Sequence, residues 1–516
     1  MAPSQCVLNS ICENRISLVN PTMASQESIT LPGGGIAILY IINGRHEYAE
    51  ESKRDFLVFL EKLEYPQSLT WIRKWAAVAA LSSATLCVAA GSSIAVFAES
   101  GVSKQFHVSK EVSILGISLF VQGLAIGPLL LAPLSEVYGR IAVYRVSYGL
   151  FFALTWPVSF APNIAVYLIF RFFTGFVSSS FLTVAGGSVS DLYSDITVAT
   201  PMAIYTMCPF MGPIVGPLLS GFINQHLDWR WTYHILAIWI FGQYVALLFL
   251  VPETFVPILV KRKAVRLRRD TGDSRYYAPI EREGSKNMAQ EILTSCYRPF
   301  QLLLFDHMAL LLDTWTSLIL GIQYLTFQAF PIIFQGTHGF SIQLTGLTYL
   351  GMGVGMLLAL CTQPYWNRVY ARAASENGGK VPPEDRLRMG EVGAILVPFG
   401  LFWLAFTTYR SVPWIIPIIA SAPFGGGLYL VFTSTFTYLV TAYRPIAASA
   451  MAANAFMRCS FAAAFPLFAG QMYERLGTVG ATALLAGLTA VMAPLPFIYR
   501  RIGKGLRAKS RFAERP

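Results

Sequence analysis

Arg171, in LIFRFFTGF, and Asp313, in LLLDTWTS, each interrupt a long apolar run. A charge inside hydrocarbon is costly and marks a functional position by default, facing a cavity, a partner or a water path. A carboxyl such as Asp313 can bind and release a proton, or neutralise a cationic substrate. Its plainer reading is a residue near a helix start, paired or hydrated, and Asp306 at the edge of the same run fits that description. The plainer reading of Arg171 is a long side chain snorkelling to the interface.

A third group closes the run APLSEVYGR, where Glu136 precedes Arg140 by one helical turn and Gly139 permits a tight turn. An i,i+4 pair on a helix surface contributes only ~0.2–0.5 kcal/mol. Partners on neighbouring helices are therefore expected. In MCPFMGPIVGPLLSGFI, Gly212, Gly216 and Gly221 share a helix face and let backbones approach closely. Pro213 and Pro217 remove hydrogen bonds and bend the same helix. The six histidines and the scattered acids show neither metal-ligand nor hydrolase spacing, and the seven cysteines form no C-x-x-C. An enzyme, a metal site, a cofactor and a disulfide framework are not expected.

These residues need elements to hold them. Of the 516 residues, 54% are hydrophobic and 13% charged. Soluble chains carry about 25% charged residues, so the class is an all-α integral membrane protein. The net charge of +11 lies between and after apolar runs, without a continuous basic face, and nucleic acid is not an expected partner. A helix crosses hydrocarbon in about 20 residues, and that rule yields about twelve spans. Six run near 75–97, 112–134, 142–161, 164–187, 201–223 and 233–251. Six more run near 303–329, 342–362, 389–408, 413–436, 446–470 and 478–498.

The division expected is a tail (1–72), a six-helix bundle (73–254), a polar linker (255–300), a second six-helix bundle (301–499) and a tail (500–516). Two bundles about one linker suggest pseudo-symmetric halves with a path between them. Basic residues such as Lys261, Arg262 and Lys263 in the linker, and Arg500 and Arg501 after the last span, place both termini in the cytoplasm. IAILYII (36–42) is too short to span a bilayer and reads as a short strand, a buried helix turn or an ill-ordered patch.

APLSEVYGR resembles the loop between helices 2 and 3 of the major facilitator superfamily, G-x-L-x-D-R-x-G-R-[RK]. Glu136, Gly139 and Arg140 match, while Ala132, Val137 and Ile141 depart. The resemblance implies a cytoplasmic latch in the outward-facing state, with Asp191 as partner for Arg140. The fifth run resembles the superfamily's antiporter motif at Gly212, Pro213 and Gly216, with Cys208 and Pro217 departing. That implies export, against a reading of small-residue packing alone. Arg171 and Gly175 resemble the R-x-x-x-G of helix 4, associated with proton coupling.

From Trp71 onward, blocks such as DWRWTYHI, PETFVPILVKRKAVRLRRDTGD, PEDRLR and FPLFAGQMYERLG are similar to the fungal drug:proton antiporter group with twelve spans. Thr437, Thr441, Leu320 and Asp313 depart from that group's usual residues. Residues before Trp71 match it poorly.

The resemblance implies alternating-access efflux of a hydrophobic small molecule, such as a fungal metabolite, toxin or fungicide, in exchange for protons. Arg171 and Asp313 are the coupling candidates. Gln122, Tyr324, Phe327 and Gln328 are candidates for the cavity wall, or rings and amides that simply pack. A monomer in the bilayer is expected, in the plasma membrane or the vacuolar one. An importer or facilitator of the same fold, or a transport-inactive sensor, are the other readings.

Overall fold

Hydrocarbon offers no hydrogen-bonding partner, so an apolar run that crosses it must satisfy its own backbone as a helix. The computed structural model, which describes residues 26–30, 36–42, 45–47, 56–61, 64–193, 197–283, 288–376 and 382–513, follows that requirement. Among the described residues, eleven helices are long and apolar enough to cross a membrane. The first six are Trp71–Ser93, Lys110–Tyr138, Arg140–Ser159, Ile164–Leu192, Thr200–His226 and Arg230–Leu250. The next four are His307–Thr337, Ile342–Glu376, Pro383–Ala405 and Ile415–Ala442.

The last, Ala447–Ala508, breaks at Gly477, whose φ of 70° and ψ of 170° reverse the chain. It therefore holds the eleventh and twelfth spans, which restores the expected count. The eighth and twelfth spans continue as helix well beyond their apolar cores, since a helix once started does not need lipid to propagate.

Side-chain caps fix several starts. Ser109, Asn163 and Ser341 accept from Val112, Val166 and Leu344 N–H respectively. Asp306 accepts from Met308 and Ala309 N–H at the start of the seventh span. This carboxylate is a helix cap, in keeping with its plainer reading.

Successive spans alternate in direction, which defines two ends. Trp71, Tyr138, Arg140, Leu192, the linker and the start of the seventh span lie at the near end. Ser93, Lys110, His226, Phe330 and Ile342 lie at the far end. The two bundles pack through spans 2 and 11 and through spans 5 and 8.

Outside the spans, β1 (Gln26–Thr30), β2 (Ile36–Ile42) and β3 (Arg45–Glu47) form an antiparallel sheet in the order β1-β2-β3. IAILYII is β2, with Ile38 opposite Ser28 and Ile41 opposite His46. The linker carries helix Val256–Thr271 and is more than a solvated tether. Val58 N–H donates to Tyr277 O at 3.1 Å, and Tyr277 N–H to Phe56 O at 2.9 Å. Val58, Val260, Ala264 and Ala278 close a small core beneath this bridge. Lys263 Nζ lies 2.6 Å from Glu64 Oε2, and that hydrogen bond holds the Glu64 carboxyl below its usual range.

Candidate functional site

At the near end, Gly139 turns the chain between spans 2 and 3 with a φ of 91°. A Cβ there would sit 2.6 Å from Glu253 Oε2, so glycine is required twice over. Glu253, just past the sixth span, accepts from the backbone N–H groups of Arg140, Thr254 and Phe255, each at 3.1 Å, and of Ile141 at 3.4 Å. A carboxylate thus caps the start of span 3, where the helix dipole also favours it.

The Arg140 side chain reaches the fourth span. Its Nε is 3.0 Å from Asp191 Oδ2, an ion pair without hydrogen-bond alignment, and one guanidinium nitrogen donates to Val184 O at 3.0 Å. Glu136 is exposed one turn before Arg140. The structure therefore brings Gly139, Arg140 and Asp191 together, with the buried carboxylate of Glu253 beside them.

Arg171 is 1% exposed, and its charge is met by backbone oxygen and aromatic faces. Nε donates to Gly116 O at 2.8 Å, and both terminal nitrogens donate to Gly91 O at 3.1 Å. The guanidinium carbon stands 4.4 Å from the Phe120 ring centre and 5.5 Å from that of Tyr233. This side chain ties spans 1, 2, 4 and 6 together near the far end, and it does not snorkel.

Asp313 lies in the other bundle, toward the near end, fully buried. Asn454 Nδ2 donates to its Oδ1 at 2.9 Å and to Thr316 Oγ1 at 2.9 Å, while Oδ2 has no hydrogen-bond partner. One turn after Asn454, Arg458 rests on two rings, 5.3 Å from the Phe432 centre and 4.8 Å from that of Phe436. Its Nε is likewise without a hydrogen-bond partner. Phe210 of span 5 stacks on Phe432 with centroids 4.8 Å apart, so this group borders the first bundle. No hydrogen bond or ion pair joins Arg171 to Asp313 among the described residues.

Three of the four cavity candidates sit where the halves meet at the far end. The Tyr324 hydroxyl and Ser92 Oγ are 2.7 Å apart across the halves. Phe327 packs edge-on to Tyr324 with centroids 5.0 Å apart. The Gln328 amide is held by Glu99. Gln122 is half-buried on span 2.

Span 5 carries Pro209, Pro213 and Pro217 inside one helix. A Cβ on Gly212 would meet Ala89 Cβ at 2.2 Å, and one on Gly216 would meet Ser93 Oγ at 2.1 Å. Gly212 and Gly216 therefore seat span 5 directly on span 1, whereas Gly221, expected on the same face, lies on the other side, where a Cβ would meet Ile342 O at 3.1 Å and Gly346 Cα at 3.2 Å in span 8.

Residues 81–466 match the profile of the Major Facilitator Superfamily. The chain belongs to that superfamily. Within it, the chain groups with fungal drug-efflux proteins. It is 48% identical over 398 residues to "Efflux pump atB" of Aspergillus terreus, covering 76% of this chain and 83% of that protein. It is 43% identical over 416 residues to "Probable drug/proton antiporter YHK8" of Saccharomyces cerevisiae, covering 80% of each. Among solved structures, the xylose transporter XylE of E. coli, in a partially occluded inward-open conformation, superposes with a TM-score of 0.58 at 13% identity. That match covers 83% of this chain and 99% of XylE, and it speaks for the fold alone.

In this facilitator, sequence reading passed over Glu253, Glu99 and Arg458. Arg458 carried the same signal as Arg171, an arginine inside an apolar run. Glu253 stood in the quoted PETF, but the partners that place it at span 3 are backbone N–H groups of a distant turn, Arg140 and Ile141, which no side-chain pattern reveals.

Proposed function

We propose that this facilitator is a proton-coupled antiporter that exports a hydrophobic small molecule, of the fungal metabolite, toxin or fungicide kind, by alternating access. The observation that carries the reading is Asp313, a carboxyl inside a membrane span with one oxygen held by Asn454 and the other unpartnered. A proton arriving from outside neutralises such an acid, and its release inside offsets outward movement of the cargo.

Resemblance to a pump and an antiporter by name supports export, as does the proline-glycine fifth span. Aromatic rings at the boundary of the halves, Phe210, Phe432 and Phe436, suit a flat apolar cargo, and Arg458 offers a donor to orient it. The near end, with its basic linker and tail, is the cytoplasmic side, and the far end opens outward, in the plasma membrane. At the cytoplasmic side Arg140, Asp191 and Glu253 act as the latch about Gly139.

Energised inside-out vesicles test the reading with dyes, azoles, polyamines and aromatic metabolites. Uncoupler-sensitive accumulation of one class is expected, and Asp313→Asn reduces it about 100-fold or more, a loss on the scale of an essential proton-transfer group. Accumulation that Asp313→Asn leaves intact would refute its coupling role. Absence of any accumulation by folded protein would refute broad efflux.

A further inference from the structure

Glu99 opens the short helix Glu99–Phe106 that follows the first span, and it is 6% exposed. Its two oxygens lie 2.9 and 2.8 Å from Gln328 Nε2, which belongs to the seventh span in the opposite half. Among the described residues it forms no ion pair. Lys110, at the start of span 2, is the cation whose field reaches it. From spans 4 and 6 it is faced by Tyr167 and Tyr233, whose hydroxyls are 2.7 Å apart, with Arg171 behind them. From span 8 it is faced by Tyr349.

The surroundings are thus an amide, phenols and one outlying lysine. A carboxylate buried against neutral groups loses its water without gaining a counter-charge, and that favours its neutral form. The contact is also placed to matter, since it is one of a row that seals the far end. The Tyr324–Ser92 bond lies beside it. The Gln225 side chain accepts from Ile342 N–H at 3.1 Å, and His226 meets Gln343 at 3.2 Å.

We infer that Glu99 is a proton-binding site on the seam between the halves, and that closing the outer face takes up a proton there. In the closed state burial pushes the carboxyl up to about 8. With the seam open, water reaches it and it returns toward an ordinary glutamate, about 4.3. A group whose affinity for protons is higher in one state stabilises that state as pH falls. Closure is therefore favoured at low external pH and weakens as pH rises, with most of the change between those two values. Within that window the closed-to-open ratio changes by up to about tenfold per pH unit. An acidic exterior then helps return the empty transporter inward. This inference rests on alternating access but on neither the cargo nor the direction of transport.

The test is disulfide trapping of the seam in the full-length protein, with His226→Cys and Gln343→Cys together, native cysteines kept, and each single variant as control. It runs without substrate from about pH 5 to pH 8, with parent and Glu99→Gln compared at each pH so that thiol chemistry cancels. The parent is expected to lose trapping relative to Glu99→Gln as pH rises, with the ratio levelling near the upper limit. Superimposable curves would overturn the inference. Should Glu99→Gln fail to fold, Gln328→Glu serves. Two facing carboxyls share a proton and hold it to higher pH, so trapping then goes on falling with pH where the parent levels. Levelling at the same pH as the parent would equally overturn the inference. Vesicle transport is not read, so failed efflux and a failed seam are separable results.

Discussion

Arg171 and Asp313 looked alike in the sequence, two charges in apolar runs, yet the structure gives them opposite surroundings. Every nitrogen of Arg171 points at a backbone carbonyl, and removing it takes these charged donors from the Gly91 and Gly116 oxygens. Each charged hydrogen bond of this kind contributes about 1.5–3 kcal/mol. Arg171→Ala is therefore expected to lower the melting temperature of purified protein markedly. Arg171→Lys, which keeps the charge but not the fork, should fall between them. A loss of transport in Arg171→Ala with an unchanged melting temperature would show that the guanidinium serves coupling and not assembly. Asp313, half satisfied, should behave conversely, with Asp313→Asn keeping its melting temperature.

At the scale of elements, the twelve spans were legible because lipid enforces one rule, a long apolar run closed on itself, and leaves few alternatives. The seating of one span on another was legible in part, through the glycines of span 5. Gly212 lies against the backbone of Ala89 and Ala90, where no side chain can yield. Gly212→Ala should cost about 1–3 kcal/mol through overpacking, read as a lower melting temperature in detergent. Gly242→Ala, with nothing within 4 Å, should leave melting unchanged or slightly raised. Equal effects of the two would mean that the helices separate easily at Gly212.

Glu99 was the opposite case. It follows an apolar run in a polar stretch, and its partner in span 7 is distant in the chain, so periodicity and spacing had nothing to register. Similarly, β2 was only one of several readings of IAILYII, because seven apolar residues fit a strand or a helix turn equally well.

Across the whole molecule, the two halves solve the same problem at the near end with different parts. In the first half an acid after span 6, Glu253, holds the start of span 3. In the second, an acid at the start of span 9, Glu384, is held by Arg507 after span 12, with Nε–Oε1 at 2.7 Å. Both partners of this second pair are nearly buried, at 7% and 11% side-chain exposure, so breaking it leaves a charge stranded. Arg507→Ala should cost about 3–5 kcal/mol. Lys263→Ala, at the partly exposed pair with Glu64, should cost at most about 1 kcal/mol. Chemical denaturation of the detergent-solubilised protein separates the two. A small loss for Arg507→Ala would mean that the pair is hydrated and that the tail is dispensable.

The bridge between Leu57 and Tyr277 has a bearing on how the chain is made. Residue 57 leaves the ribosome roughly two hundred residues ahead of its partner, on the order of 10–40 s at ordinary elongation rates. During that interval the first bundle is being threaded into the membrane. The two segments can meet only if an even number of crossings separates them, for otherwise the bilayer lies between them. A helix skipped or inserted backwards leaves the bridge unmade and Val58 without its small core. The docked tail is thus a parity check on topogenesis, passed only when the crossings between it and the linker are even in number.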